Sequence, residues 1–269
     1  MLTTFLFVFI LGTIIGSFLN VVILRYNTGR GIGGRSGCLS CGKKLEAIEL
    51  IPIFSWIYQR GKCKKCGAKI SIQYPLVEFF TGLLFVFLFY RTLPFLFDPK
   101  LVLLSFVWNS LIFAILIIIF VYDLRHKIIP DLFSYSFAIL AFLQTVVMNP
   151  INSQYNTLNY LNLFSGIIMF LPFFLLWFVS GGKWIGLGDG KLALGIGWYL
   201  GFIGGISAIV MAFWIGAIFA LLLMLIDRLK LTSKNITMKT EVPFGPFLII
   251  GIIIEFFARI DVIGISLFF

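Results

Sequence analysis

Two stretches of this chain carry side chains whose type and setting could do chemistry. Gly186-Leu187-Gly188-Asp189-Gly190-Lys191 holds one carboxylate in a Gly-rich turn between long apolar segments. Asp123 sits in a similar place, at the foot of the apolar run 101–122 and just before Arg125-His126-Lys127. A carboxylate at the edge of a membrane span is expensive to place and is a functional candidate by default. Two at matching depth suggest a pair. Close carboxylates do not readily both ionise, so they share a proton. The ionised member can take a proton from water as it attacks a peptide carbonyl; the protonated member supports the carbonyl oxygen and later the leaving amine. Such a titration belongs to the pair and not to either residue.

Gly186, Gly188 and Gly190 remove side chains around Asp189 and would let a substrate strand or another backbone approach. The same glycines would also suit an ordinary loop between spans, and Asp123 alone could be a helix-end charge facing water. Taken together the two stretches favour the pair, with Lys191 completing the loop. Other hydrolytic chemistries fare worse. His126 is the single histidine and lies among juxtamembrane cations, so a Ser-His or Cys-His arrangement is hard to build. No H-E-x-x-H is present for a catalytic zinc.

The four cysteines form a second constellation. Cys38, Cys41, Cys63 and Cys66 follow the pattern C-x2-C-x21-C-x2-C, with glycine after each second cysteine. Two thiolates two residues apart chelate a metal from a tight turn, and two such turns complete a tetrahedral zinc site. Glycine permits the positive backbone dihedral such turns require. Four cysteines leave no open coordination position, so the zinc would be structural. One or two disulfides are the alternative, disfavoured if this region lies in a reducing compartment.

These residues need elements to position them. The chain has 269 residues, 60% hydrophobic and only 12% charged, with mean hydropathy +1.06. An ordinary soluble domain carries roughly 25% charged residues, so lipid is the expected solvent. Eight apolar segments, about 2–24, 76–97, 101–122, 131–148, 158–180, 191–203, 204–227 and 243–266, mostly reach the roughly 20 residues a membrane helix needs. The sixth and seventh are one run split at Gly201-Phe202-Ile203-Gly204-Gly205. The expected fold is all-α and polytopic, with about eight transmembrane helices. Its parts would be a first helix (1–24), a small zinc-knuckle insert (25–75) and a bundle (76–269).

Charge placement orients the bundle. Of 21 Lys and Arg, ten lie from Arg25 to Lys69, and Arg125, Lys127, Lys183, Lys191, Arg228, Lys230, Lys234 and Lys239 fall in the other odd-numbered connections. Only Arg91, Lys100 and Arg259 fall on the other side. Basic residues are retained in the cytoplasm, so both termini should face outward, with the insert and the aspartate pair on the cytoplasmic side. The formal charge of +10 is thereby explained without nucleic acid. The first segment has no basic start and no small-residue cleavage site, which reads as an anchor and not a removable signal.

Several further residues call for partners. Gly12 and Gly16 give the first span a small face for close helix packing, and Asn20 needs a partner inside the bundle. Glu78 reads first as a helix-start carboxylate, and Asp131, after Pro130, as a first-turn acid. The segment 49–62 is too short and Pro-broken to span, and should pack on the knuckles or lie at headgroup level with Trp56 and Tyr58 at the interface. Glu255, about twelve residues or roughly 18 Å into the last span, should face the bundle, with no role assigned.

The ordered set Gly16-Ser17-Phe18-Leu19-Asn20, the two C-x-x-C knuckles, Tyr74-Pro75-Leu76-Val77-Glu78, Asp123 with Ile129-Pro130-Asp131, Gly186 to Leu192 and Pro243-Phe244-Gly245-Pro246-Phe247-Leu248 resembles the bacterial type IV prepilin peptidases of the GxGD aspartic protease class. The resemblance runs nearly end to end. It implies that Asp123 and Asp189 are a catalytic dyad in an inner-membrane enzyme. It implies cleavage of the short basic leader of a membrane-held prepilin or pseudopilin helix, after glycine, on the cytoplasmic side. It also implies N-methylation of the new terminus from S-adenosylmethionine, with Gly61 and Lys62 resembling residues implicated there. Glu46, Glu49 and Glu78 are candidates to attract the basic leader. Two rival readings are an ion- or proton-coupled transporter using the two aspartates, and a non-enzymatic zinc-bearing membrane adaptor.

Overall fold

The computed structural model describes residues 2–29, 31, 33–93, 98–148, 160–229, 242–262 and 264. Among these every regular element is a helix: α1 (Leu2–Arg25), a short α2 (Phe54–Tyr58), α3 (Gln73–Thr92), α4 (Pro99–His126), α5 (Asp131–Leu143), α6 (Tyr160–Ser180), α7 (Leu187–Arg228) and α8 (Gly245–Ala258). Helices form at each of the eight apolar segments. Five are long and apolar enough to cross a membrane, namely α1, α3, α4, α6 and α7, while α5 and α8 are shorter apolar helices. Lys230, Lys234 and Lys239 lie outside the described residues. The chain divides into two compact units, 1–118 and 119–269.

In the first unit α1 lies directly on α3. A Cβ at Gly12 would come 2.8 Å from the Gly82 Cα, and one at Gly16 would come 2.8 Å from the Glu78 Cα. The two backbones therefore nearly touch, the small-residue contact expected where lipid supplies no hydrophobic drive. Asn20, wholly buried, donates from Nδ2 to the Tyr74 carbonyl at 3.2 Å and accepts from Gln73 Nε2 at 3.4 Å. Glu78 is not a helix-start acid. It lies five residues inside α3, buried, and accepts the Ile53 N–H at 2.7 Å, with the Ser17 hydroxyl as a second partner. Ile53 has φ +62, a left-handed conformation costly for a β-branched residue; the Glu78 bond fixes its N–H where α2 begins.

In the second unit α7 is two helices. Gly201 breaks it with φ +76, ψ −175, a region essentially restricted to glycine. A Cβ at Gly205 would lie 3.2 Å from the Gly197 Cα, whereas eight residues of straight helix span about 12 Å. The limbs 187–200 and 202–228 therefore fold back on each other, which is the division between the sixth and seventh apolar segments. Backbone groups freed by such a break must be satisfied inside the protein. Ser165 Oγ donates to the Gly197 carbonyl at 2.7 Å, Thr145 Oγ1 to the Trp198 carbonyl at 2.5 Å, and Asn162 Oδ1 accepts the Phe202 N–H at 3.2 Å. Hydroxyl and amide side chains of α6 and of the π-helical segment Gln144–Met148 that continues α5 thus make the fold-back tolerable in lipid.

Candidate active site and cysteine cluster

Gly186 is the N-cap of α7 and Asp189 lies in its first turn. The Gly-rich stretch, expected as a turn, is therefore a helix start, where the macrodipole favours a carboxylate. Backbone N–H groups of Gly186 and of Asp189 itself point at the Asp189 carboxylate. Gly186 is extended, not left-handed (φ −75, ψ 144), and a Cβ there would meet Asp189 Oδ2 at 3.4 Å, an ordinary contact, so neither its backbone nor its surroundings demand glycine. Gly188 lets the Ile129 side chain in, at 3.0 Å from where its Cβ would be, and Gly190 does the same for Phe170 and Phe173 at 3.3 Å. Gly188 and Gly190 serve close approach.

Asp123 lies in the last turn of α4, 3% exposed. The Gly245 N–H, at the start of α8, donates to its carboxylate. A Cβ on Gly245 would fall 2.6 Å from Asp123 Oδ2 and 3.1 Å from Ile129 Cδ1. One isoleucine side chain therefore touches the backbone beside both aspartates, at Gly188 and at Gly245. The carboxylates are close enough for the charge on Asp123 to act on Asp189. Phe173, Phe213 and Phe244 pack together, with Phe213 and Phe244 centroids 4.8 Å apart; Phe173 also meets Gly190, and Phe244 directly precedes Gly245.

Lys191 Nζ donates to Asp131 Oδ1 at 2.7 Å and lies 4.9 Å from the Tyr135 ring centre. It ties the start of α7 to the start of α5. Asp131 is indeed in the first turn of α5, behind Pro130, and its side chain stays exposed. His126 is exposed and stacks beside Tyr122 at 4.4 Å, which leaves it at the surface. Glu255 is buried with Oε2 unbonded among the described residues, its Oε1 3.3 Å from where a Gly204 Cβ would lie. It faces the bundle as expected.

The insert, in the first unit, brings Cys38, Cys41, Cys63 and Cys66 together with all four sulfurs within 4.8 Å of one another. Cys38 and Cys66 Sγ are 3.8 Å apart, the spacing that four Zn–S bonds of about 2.3 Å give in a tetrahedron. The thiols are unpaired by disulfide. Each knuckle closes alike: Gly42 N–H donates to the Cys38 carbonyl and Gly67 N–H to the Cys63 carbonyl, both at 2.9 Å. Gly42 and Gly67 have φ of +69 and +70, which is why glycine follows each pair. The Cys41 N–H, then the Ser40 N–H, aim at the Cys38 sulfur and bring its thiol down to about 6. The Cys66 and Lys65 N–H groups likewise lower Cys63. Cys66 rises to about 11, because the Ala68 N–H is outweighed by burial and three neighbouring thiols. The donor set and its geometry fit a structural zinc.

Gly61 and Lys62 lie in the insert, at the start of the second knuckle. Gly61 (φ +65) is buried against the Trp56 ring, 3.0 Å from where a Cβ would lie, and the Lys62 side chain is exposed. Trp56 Nε1 donates to the Ile70 carbonyl at 3.2 Å, so this ring faces inward while Tyr58 stays at the surface. Glu49 is buried and bonded to Lys43 at 2.9 Å, and Glu78 is committed to Ile53. Neither is free to attract a basic leader, which leaves exposed Glu46 of the three candidates. The sequence missed Gly245 and Ile129 as site residues; Pro243–Leu248 and Ile129-Pro130 were visible as motifs, but no local pattern told what they touch.

Residues 10–92 match the family model described as Bacterial Peptidase A24 N-terminal domain, and residues 110–221 that described as Type IV leader peptidase family. A prepilin leader peptidase/N-methyltransferase of Bacillus subtilis is 32% identical over 250 residues, covering 92% of both chains. One from Xanthomonas campestris is 27% identical over 285 residues, 94% of this chain and 91% of the relative. One from Myxococcus xanthus is 42% identical over 127 residues, 46% of this chain and 35% of the relative's length. No solved structure matches. With both carboxylate motifs and both knuckles inside these matches, the chain belongs to the prepilin leader peptidase/N-methyltransferase family.

Proposed function

We propose that the protein is an inner-membrane aspartic endopeptidase that removes the short basic leader of type IV prepilins or pseudopilins, cutting after glycine at the cytoplasmic side. The observation that carries this reading is the meeting of Asp123 and Asp189 around Ile129, each carboxylate facing a glycine N–H. One aspartate, ionised, takes a proton from the water that attacks the scissile carbonyl carbon. The other, protonated, donates to the carbonyl oxygen, giving a neutral gem-diol; proton return to the nitrogen breaks the C–N bond and releases the amine. Gly188, Gly190 and Gly245 let Ile129, Phe170, Phe173 and the Asp123 carboxylate pack against the backbone around the pair, and Lys191 holds α7 to α5 through Asp131. A transporter would place its ionisable residues near midplane beside broken helices. Here the aspartates are at helix ends, remote from the Gly201 break by the whole 187–200 limb.

Cys38, Cys41, Cys63 and Cys66 hold a structural zinc that staples the insert. The protein also methylates the new amino terminus, S-adenosylmethionine supplying the methyl group when bound. With Gly61 covered by Trp56, Lys62 is the one member of that pair open to the donor. Asp123→Asn and Asp189→Asn, each expressed to the wild-type level and incubated with a prepilin in membranes, should each reduce cleavage by at least about 10³-fold. Retained cleavage in either variant removes the dyad, and retained cleavage in both restores the adaptor reading.

A further inference from the structure

We propose that the insert docks on anionic lipid headgroups through the α2 turn, which presses Phe54, Ile57 and Tyr58 into the membrane interface. Phe54, Ile57 and Tyr58 are all exposed, at the three- and four-residue spacing that puts them on one side of the α2 turn, and Leu50 and Ile51 just before it are exposed as well. Phe54 and Tyr58 stack at 6.1 Å. So apolar a face on a small insert marks a binding surface.

Attachment to a spanning helix and charge name the occupant. The Glu78 carboxylate that receives the Ile53 N–H at 2.7 Å lies five residues into α3, about 7.5 Å along the helix. α3 is apolar enough to cross a membrane, and its neighbouring Phe79 and Phe80 are exposed. α2 is thus bonded at its N-cap to a spanning helix, within the first two turns of that helix, which keeps it near the end of a span, where interfacial helices lie. Around it Lys62, Lys64, Lys65 and Lys69 are exposed, and Lys64 Nζ lies 4.7 Å from the Tyr58 ring centre. The only acids between 25 and 75 are Glu46 and Glu49, and Glu49 is spent on Lys43. An apolar face edged by exposed cations beside the start of a spanning helix matches a leaflet of anionic lipid. Because Trp56 is bonded to Ile70 and packed on Gly61, the second knuckle moves with α2, so lipid contact also fixes the cysteine cluster in height.

The test uses the full chain with benzoylphenylalanine at position 54, 57 or 58, reconstituted in vesicles of phosphatidylcholine alone or mixed equally with phosphatidylglycerol. On illumination, each site should give a phospholipid adduct by mass, with phosphatidylglycerol preferred over phosphatidylcholine by at least about threefold. The same group at Trp56 should cross-link only within its own chain, which also reports that the insert is folded. Lys64→Gln/Lys65→Gln/Lys69→Gln should keep the adducts and reduce the preference to near one. Absence of lipid adducts at 54, 57 and 58 while the Trp56 control cross-links internally would overturn the proposal. Equal yields from the two lipids, or adducts to another protein chain in place of lipid, would overturn it as well. None of these readouts requires peptidase activity.

Discussion

A methyl group at Gly245 has nowhere to go. It would lie 2.6 Å from Asp123 Oδ2 and 3.1 Å from Ile129 Cδ1, and Asp123 is itself buried, so the carboxylate must swing away from its N–H donor. Gly245→Ala is therefore expected to lose cleavage by about 10²-fold or more, the scale of a catalytic group displaced by an ångström. The loss should fall in kcat more than in KM, measured with a prepilin in detergent or vesicles. Unchanged kcat would mean that the Gly245 contact does not set the Asp123 geometry. Asp131→Ala tests the opposite limit. It removes the partner of Lys191, yet the Asp131 side chain is 67% exposed, and exposed pairs contribute about 1 kcal/mol or less. Thermal stability should barely move, and a large drop would show that the start of α7 depends on that pair. At this scale the two aspartates were legible because a charge beside an apolar run has few innocent explanations. Gly245 was not, because its reason to be glycine is a contact with a residue 122 positions earlier.

Helices were the easiest elements to read, since an unbroken apolar run in lipid has few ways to satisfy its backbone other than a helix. The division of α7 was also legible, from its glycines, but the fold-back needs partners from elsewhere: Asn162, Ser165 and Thr145. Gly201→Ala should be costly on two grounds. Its φ of +76 with ψ −175 suits glycine alone, a strain of about 1–3 kcal/mol for another residue, and a Cβ would lie 2.8 Å from Asn162 Oδ1. A lowered melting temperature is the expected result, and an unchanged one would show that the limbs can turn otherwise. In the insert, the knuckles followed from spacing, whereas the link between them and Glu49 did not. The Glu49 carboxyl is held below the usual carboxylate range by the Glu46 N–H first and by Lys43 second. A depressed carboxyl stabilises above its ordinary value of 4.5 and loses that contribution as pH falls through its lower folded value. Protection of the insert from proteolysis should accordingly weaken on acidification below about pH 4.5, and Glu49→Gln should be less stable at neutral pH with that dependence flattened. Metal removal should act more strongly: a chelator is expected to expose 35–70 to protease while the helices persist by circular dichroism, because small metal-stapled regions fold with their metal. An insert equally protected after zinc loss would remove the structural role from the cysteine cluster.

At the scale of the whole molecule, sidedness and redox chemistry rest on one distribution. Of the 21 Lys and Arg, only Arg91, Lys100 and Arg259 fall in connections assigned to the outer side. If retention of basic residues orients the chain, an impermeant amine reagent added to spheroplasts should label Lys100, which is exposed at the start of α4. Lys64, Lys65 and Lys183, all exposed, should react only after the membrane is opened. The consequence reaches past topology. Four cysteines this close could pair as disulfides in an oxidising compartment, and the preference for zinc draws on a cytosolic insert as well as on the tetrahedral spacing. Labelling of Lys64 and Lys65 before lysis, with Lys100 protected, would reverse the orientation and reopen the disulfide reading. It would also overturn the cytoplasmic placement proposed for the aspartate pair. Agreement would place the knuckles, the α2 face and the dyad on one side of the bilayer, where a peptide and a soluble methyl donor can both arrive.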